Sequence, residues 1–167
     1  GWGNTVTGNQ RDLYGVSKWL IKEKPEESLE RVVVPDQIST LTEAILRVKE
    51  GGEVYVRSGT YSEKCAIYKS LKIIGEENFP TFTRTVGISP SVQNVEIQNI
   101  KFAGVEEELP TGIACNGCSG LLVRNVIFEN VRLGIVCTRC TGLVQNCSFL
   151  EGYQGVVCEG GTLNMDC

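Results

Sequence analysis

The chain has 167 residues, a formal net charge of −4 and no histidine. This length suits one domain with a hydrophobic core, and 41% hydrophobic with 22% charged residues is the balance of an ordinary soluble domain. The negative charge gives no electrostatic support for a nucleic-acid partner. No apolar run approaches the roughly 20 residues that cross a bilayer, so we expect no membrane-spanning segment.

The first 31 residues do not repeat, and we interpret residues 1–31 as an N-terminal extension and linker. Within it, Leu13, Val16, Trp19 and Leu20 have the spacing of a short amphipathic helix. The N-terminus lacks the basic segment and apolar stretch of a signal peptide. It also lacks an initiating Met, so we expect a processed product or an excised fragment.

A strand and a helix are predicted next. Residues 32–35 form the strand, and Thr40 with Glu43 has the spacing of a capping box at a helix start. Gly51 and Gly52 are expected to end the helix, because glycine tolerates the left-handed conformation found there. The helix would turn one apolar face inward, made of Leu41, Ala44, Ile45 and Val48.

Short strands dominate the rest of the chain. Residues 53–57 alternate like a strand, residues 59–63 turn the chain, and residues 66–75 supply two more strands. Beyond them, one sequence motif occurs three times, at 111–121, 133–143 and 154–163. Its glycines, Gly112, Gly134 and Gly155, lie 22 and 21 residues apart. A period this short indicates a solenoid, in which each turn buries its apolar face against its neighbours.

Two further sets of residues recur from coil to coil, at steps of 26 and 21 residues. Asparagines are expected at tight turns, where Asn tolerates positive φ and its amide can bond along the stack. Phenylalanines are expected to stack in the core. The sets are Asn99, Asn125 and Asn146, and Phe102, Phe128 and Phe149.

The passage 41–75 and the repeats together resemble right-handed parallel β-helix proteins of the pectin-lyase-like superfamily. The resemblance covers roughly residues 32–167 and implies an all-β fold, a right-handed parallel β-helix with an N-terminal capping α-helix. The last coil looks incomplete, since Asp166 and Cys167 align with Asn146 and Cys147 and the next Phe is missing. We therefore expect residues 32–167 to continue in the natural protein, or to dock through this end as a homo- or hetero-oligomer.

Eight cysteines include the pairs Cys115/Cys118 and Cys137/Cys140, whose spacing matches a zinc ribbon. The repeat explains that spacing more simply, because adjacent coils carry the same residues. Strand alternation places Ile113 and Cys115 on one inward face. We expect buried free thiols and no cofactor, while zinc held by these four cysteines and disulfides stay open as alternatives.

The superfamily includes pectate lyases, polygalacturonases and pectin methylesterases, so the resemblance raises carbohydrate chemistry. Those enzymes depend on clustered acidic residues, with histidine in polygalacturonases. Here histidine is absent, and Glu96, Glu129, Glu151 and Glu159 do not recur at one ladder position. Without a carboxylate pair no acid–base machinery is visible, so we expect no enzyme and no catalytic residue.

The short cysteine-rich coils resemble those of eukaryotic intracellular β-helix proteins, namely the F-box β-helix type and the type that binds the SH2 domain of SHC. The resemblance implies a non-catalytic interaction or scaffold module, inside the cell, with a protein partner. A candidate surface combines three arginines with an acidic insertion: Arg124, Arg132, Arg139, Glu106, Glu107 and Glu108. The alternative is a carbohydrate-binding module or polysaccharide-active enzyme, for which exposed tyrosines would be needed: Tyr55, Tyr61, Tyr68 and Tyr153.

Overall fold

The computed structural model describes residues 29–105 and 109–166. Within these residues the chain is a parallel β-solenoid of about six turns with one short helix near its start. Every strand pair is parallel, and the strands form three sheets around a common core. The predicted all-β parallel β-helix is therefore confirmed, as is the helix at its N-terminal side.

Five consecutive coils contribute one strand to each of the three sheets, and sheet I has a further strand at each end of the solenoid. Sheet I contains, in spatial order, β1 (Leu29–Val34), β2 (Val48–Val56), β5 (Lys72–Gly75), β8 (Glu96–Gln98), β11 (Leu121–Arg124), β14 (Thr141–Gln145) and β17 (Thr162–Asp166). Sheet II contains β4 (Cys65–Ile67), β7 (Val86–Ile88), β10 (Thr111–Asn116), β13 (Leu133–Thr138) and β16 (Gln154–Glu159). Sheet III contains β3 (Thr60–Tyr61), β6 (Thr81–Phe82), β9 (Lys101–Ala103), β12 (Ile127–Glu129) and β15 (Ser148–Leu150).

The helix α1 (Leu41–Arg47) packs beside β1 and β2. Thr40 caps it by accepting a hydrogen bond from the Glu43 amide at 3.1 Å, as the capping-box spacing predicts. Glu63, which follows β3, accepts further bonds from the amides of Leu41 and Thr42, each at 3.0 Å. A carboxylate at this end also suits the positive end of the helix dipole.

The helix ends earlier than the sequence predicts. It stops at Arg47, and Val48 already starts β2, so Gly51 and Gly52 lie inside a strand instead of ending the helix. At this point Val48 pairs with Leu29 of β1, and the buried Lys69 ammonium from the next coil donates to the carbonyls of Leu46 and Val48. The first strand likewise begins at Leu29 and not at residue 32.

The core is a set of ladders along the solenoid axis. Phe102, Phe128 and Phe149 are paired in register, and their rings are stacked, with centroids 5.3 and 4.9 Å apart. Tyr61 and Phe82 extend this column with edge-on contacts. The predicted aromatic ladder is therefore confirmed, and it ties consecutive coils together through buried ring surface.

The predicted asparagine ladder is also present. Asn99, Asn125 and Asn146 have φ values of 60°, 56° and 53°, the left-handed region that Asn tolerates best among residues with a side chain. The Asn125 side-chain amide donates to the side-chain oxygen of Asn99 at 2.7 Å, and the Asn99 side-chain amide donates to the Gly75 backbone carbonyl at 3.3 Å. These bonds give hydrogen-bond partners to polar groups at the corner between sheets I and III.

The final strand corrects one predicted alignment. In β17, Asp166 pairs with Gln145, whereas the sequence comparison aligned it with Asn146. The register starts at Thr141 with Thr162 and continues without a bulge, which leaves no room for that shift. The Asn146 amide donates to the Asp166 carbonyl at 3.0 Å in this register.

Candidate functional site

Three successive loops stack at one corner of the solenoid, where the chain passes from sheet III to sheet II. We call this surface the insertion corner: residues 104–105 and 109–110, 130–132, and 151–153. The Arg132 amide donates to the Pro110 carbonyl at 2.9 Å, and the Tyr153 amide donates to the Val131 carbonyl at 3.3 Å. Backbone bonds of this kind hold the loops in the same stack as the strands beside them.

The insertion corner and the strand end beside it expose large apolar side chains. Tyr153 is 74% exposed, Val105 is 50% exposed, and Leu150 at the end of β15 is 48% exposed. An open cleft of about 540 Å³ lies beside Tyr153, and its other lining residues are Leu109, Arg132, Leu133 and Gln154. An aromatic ring, aliphatic side chains and an arginine around one concavity are the composition enriched in protein interfaces.

The three arginines predicted to form a surface lie at three different corners. Arg124 ends β11 at the corner between sheets I and III, where its buried Nε has no hydrogen-bond partner among the described residues. Arg139 lies between sheets II and I and donates to the Asn116 side-chain oxygen at 3.2 Å. Arg132 alone of the three lies at the insertion corner, and Glu106, Glu107 and Glu108 fall outside the described residues.

The tyrosines proposed as a glycan platform do not share a face. The Tyr55 ring on sheet I is covered by the Arg31 guanidinium, 4.6 Å from its centroid. Tyr61 belongs to the aromatic column on sheet III and donates its hydroxyl proton to the Arg57 carbonyl. Tyr68 follows β4 near Lys69, and Tyr153 lies at the insertion corner. These four rings therefore form no row on which a sugar chain could stack.

Acidic residues meet at one exposed place, around Arg57 after β2. Its guanidinium pairs with Asp36 at 2.5 Å and with Glu76 at 3.0 Å. Hydrogen bonds from the Ser58 amide and hydroxyl, together with Arg57, lower the pKa of Glu76. A general acid needs a raised pKa to hold its proton near neutrality, so Glu76 is shifted in the wrong direction for that task.

Three buried thiols converge in the core between two coils. Cys115 on β10 and Cys137 on β13 are paired in register, with their Sγ atoms 3.1 Å apart. Cys140, which follows β13, brings its Sγ to 3.4 Å from that of Cys115. We call these three residues the thiol cluster. Hydrogen bonding to Cys137 and burial raise the pKa of the Cys115 thiol.

The other candidate ligands lie beside the thiol cluster. Cys118 is buried, and its amide donates to the Cys140 Sγ at 3.5 Å, but its own Sγ faces the carbonyls of Ser89 and Asn116. Cys158 pairs in register with Cys137 and is exposed. The structure thus joins three of the four cysteines considered for zinc. No disulfide links any two of the cysteines that the structure describes.

Leu109 and Leu150 were missed as surface residues by the sequence analysis. Leu150 had a detectable signal, because it pairs in register with Glu129 at an outward position of sheet III and is apolar nonetheless. Leu109 had no such signal in the sequence, because Arg132, which lines the same cleft, belongs to the next coil.

Comparisons with protein-family models, with curated proteins and with solved structures gave no match. The parallel β-solenoid therefore rests on the structure itself. Across residues 29–105 and 109–166, no helix has the length and apolar character needed to cross a membrane.

Proposed function

We propose that this chain is a non-catalytic protein-interaction or scaffold module that binds its partner through the insertion corner. The observation that carries this proposal is Tyr153, a large aromatic side chain 74% exposed at the edge of a cleft. Leaving such a ring in water forgoes its burial, which is worth about 1.5–3 kcal/mol for a large apolar side chain. A partner that covers it recovers that free energy.

The cleft also suggests the chemistry of the partner. Leu109 and Leu133 offer apolar contact to an aliphatic or aromatic side chain, and the exposed Arg132 can pair with a carboxylate at the rim. Rim charges guide encounter and orientation, while the central apolar contact supplies most of the affinity. We therefore expect a protein segment with an apolar anchor next to an acidic residue.

Membership of the pectin-lyase-like superfamily, in the style of the eukaryotic F-box and SHC-binding β-helix proteins, belongs to the same proposal. An intracellular location agrees with the buried thiols, since a reducing compartment keeps such thiols from pairing. Two carboxylates, those of Asp36 and Glu76, lie close to one another around Arg57, and both form ion pairs with it. Carboxylates engaged in this way are poor candidates for acid–base catalysis, which supports a non-catalytic role. The separated tyrosines give no support to the glycan-binding alternative.

Quantitative affinity capture tests the interaction surface. Bait proteins carrying Tyr153→Ala or Arg132→Glu are compared with wild type in one eukaryotic extract. Two variants at other corners are matched controls: Tyr68→Ala, also an exposed tyrosine, and Arg139→Glu, also an exposed arginine. Circular dichroism establishes that all baits are folded.

We expect a set of proteins that wild type and both controls retain. Either corner variant should deplete this set by about tenfold or more, which corresponds to a loss of about 1.4 kcal/mol in binding free energy. Equal retention by all five baits would refute the insertion corner as the contact surface. In parallel, the protein is incubated with polygalacturonate and with its methyl ester. Release of unsaturated or reducing uronates, or of methanol, would overturn the non-catalytic assignment.

A further inference from the structure

We propose that Cys115, Cys137 and Cys140 form a binding site for a thiophilic d¹⁰ cation, Zn²⁺ or Cu⁺. This site lies inside the solenoid and is separate from the insertion corner. Soft thiolate ligands select these two ions among the common biological metals. The three Sγ atoms all lie within 4.8 Å of one another, so one ion can contact all three.

The distances between the sulfurs suit such an ion after a small adjustment. Metal–sulfur bonds of about 2.3 Å at a tetrahedral angle place sulfurs roughly 3.8 Å apart. The observed separations are 3.1 Å for Cys115 to Cys137 and 3.4 Å for Cys115 to Cys140. Separating these sulfurs by roughly 0.4–0.7 Å therefore gives coordination distances, and rotations of cysteine side chains are enough for a change of that size.

Stacking of repeats alone does not account for this arrangement. It explains why Cys115 lies over Cys137, since both occupy the same place on β10 and β13. The third sulfur comes from a different place in the coil, beyond the turn after β13. The preceding coil has Ile88 in register with Cys115, and the following coil has Gly161 at the place of Cys140, so the convergence of three sulfurs is particular to these two coils.

Because the thiol cluster is buried, thiolates there need a bound cation beside them. Cys137 and Cys140 are fully buried and Cys115 is 7% exposed. Three thiolates without a cation would be costly in such a place. A bound cation replaces the thiol protons, and its positive charge offsets the negative charge of the thiolates. The fourth ligand of Zn²⁺ would come from a neighbour, either Cys118 or the exposed Cys158.

Metal titration of the reduced protein tests this site. The protein is kept in a phosphine reductant, and Zn²⁺ and Cu⁺ are each titrated against a chromophoric chelator, with stoichiometry read by native mass spectrometry. Variants Cys115→Ser, Cys137→Ser and Cys140→Ser are compared with Cys147→Ser, a buried cysteine of another ladder, as the matched control. Cys118→Ser and Cys158→Ser identify the fourth ligand.

We expect one equivalent of at least one of the two ions in wild type and in Cys147→Ser. Each thiol-cluster variant should lose more than about tenfold in affinity, because even changes outside the ligand shell cost about 10–100-fold. Co²⁺ added to wild type should give a thiolate-to-cobalt charge-transfer band, a measurement that needs no variant to fold. Wild type that takes up neither ion, or Cys115→Ser that binds as tightly as wild type, would overturn the site.

Discussion

The repeated glycines give the sharpest test of how the coils pack. Gly112 on β10 pairs in register beside Gly134 on β13, and a Cβ at Gly112 would lie 2.6 Å from the Gly134 carbonyl oxygen and 2.6 Å from the Phe128 ring. Gly87 on β7 is the matched control, because a Cβ there meets its nearest atom, the Cys65 carbonyl oxygen, at an ordinary 3.9 Å. Neither glycine needs a positive φ, so the comparison is steric.

The size of the effect follows from what the two variants share. Replacing Gly by Ala restricts the unfolded chain equally in Gly112→Ala and Gly87→Ala, and that gain of about 0.4–1 kcal/mol cancels in the comparison. What remains is overpacking at Gly112, which costs about 1–3 kcal/mol because the obstructing oxygen belongs to the backbone and cannot rotate away. For a chain of this length each kcal/mol corresponds to roughly 2–4 °C in melting temperature.

Urea unfolding followed by circular dichroism measures this difference. Gly87→Ala should unfold at the wild-type midpoint or above it, and Gly112→Ala below it. Gly134→Ala should behave like Gly112→Ala, because its Cβ would lie 2.4 Å from the Gly155 carbonyl oxygen. Gly155→Ala should be milder, since its nearest obstacle is the Phe149 ring at 3.2 Å. A Gly112→Ala protein as stable as Gly87→Ala would refute the predicted close packing of coils.

Three further effects should be measurable on the same protein. Glu63→Ala should lower the free energy of unfolding by about 1 kcal/mol by removing the carboxylate that caps α1, whereas exposed Glu77→Ala should leave it unchanged; equal effects would contradict the cap. Asn125→Ala should cost about 1–2 kcal/mol, because alanine is strained at a φ of 56°, and Asn125→Gly should cost less; the reverse order would contradict the left-handed turn. Because the folded-state pKa of Glu76 lies below its usual 4.5, its stabilisation is full above about pH 4.5 and is lost at lower pH. The melting temperatures of wild type and Glu76→Gln should therefore converge as the solution is acidified, and a gap that widens would show the opposite sign.

The ladders were predictable because they repeat in the sequence. Asn125 with Asn146, and Phe128 with Phe149, lie 21 residues apart, and side chains at equivalent places of successive coils must stack when the coils lie roughly 4.8 Å apart. The helix start at Thr40 was predictable for a different reason, since a capping box is a local signal.

The failures occurred where the deciding contact comes from another coil. The helix ends at Arg47, where Lys69, more than twenty residues later, donates to the Leu46 carbonyl, and no local pattern in the sequence indicates that donor. The arginines illustrate the same limit. Arg124, Arg132 and Arg139 are close in sequence, but one coil turns through all three corners between them. Sequence proximity in a solenoid therefore does not predict a shared surface.

The thiol cluster was half predictable. The period placed Cys115 over Cys137, and the pairing in register confirms it. The approach of Cys140 to Cys115, and the different direction taken by the Cys118 thiol, depend on the turns after β10 and β13. Turn geometry of this kind is not contained in the repeat period.

Site-specific photo-crosslinking tests the insertion corner most directly. A benzophenone amino acid replaces Tyr153 in one protein and Tyr68 in another, both exposed tyrosines at different corners. After irradiation in the same cell extract, mass spectrometry identifies the proteins attached at each position. We predict a discrete protein adduct through residue 153 that is absent at residue 68 and is suppressed by Arg132→Glu. Adducts at residue 68 alone, or identical adducts at both positions, would contradict binding through the insertion corner.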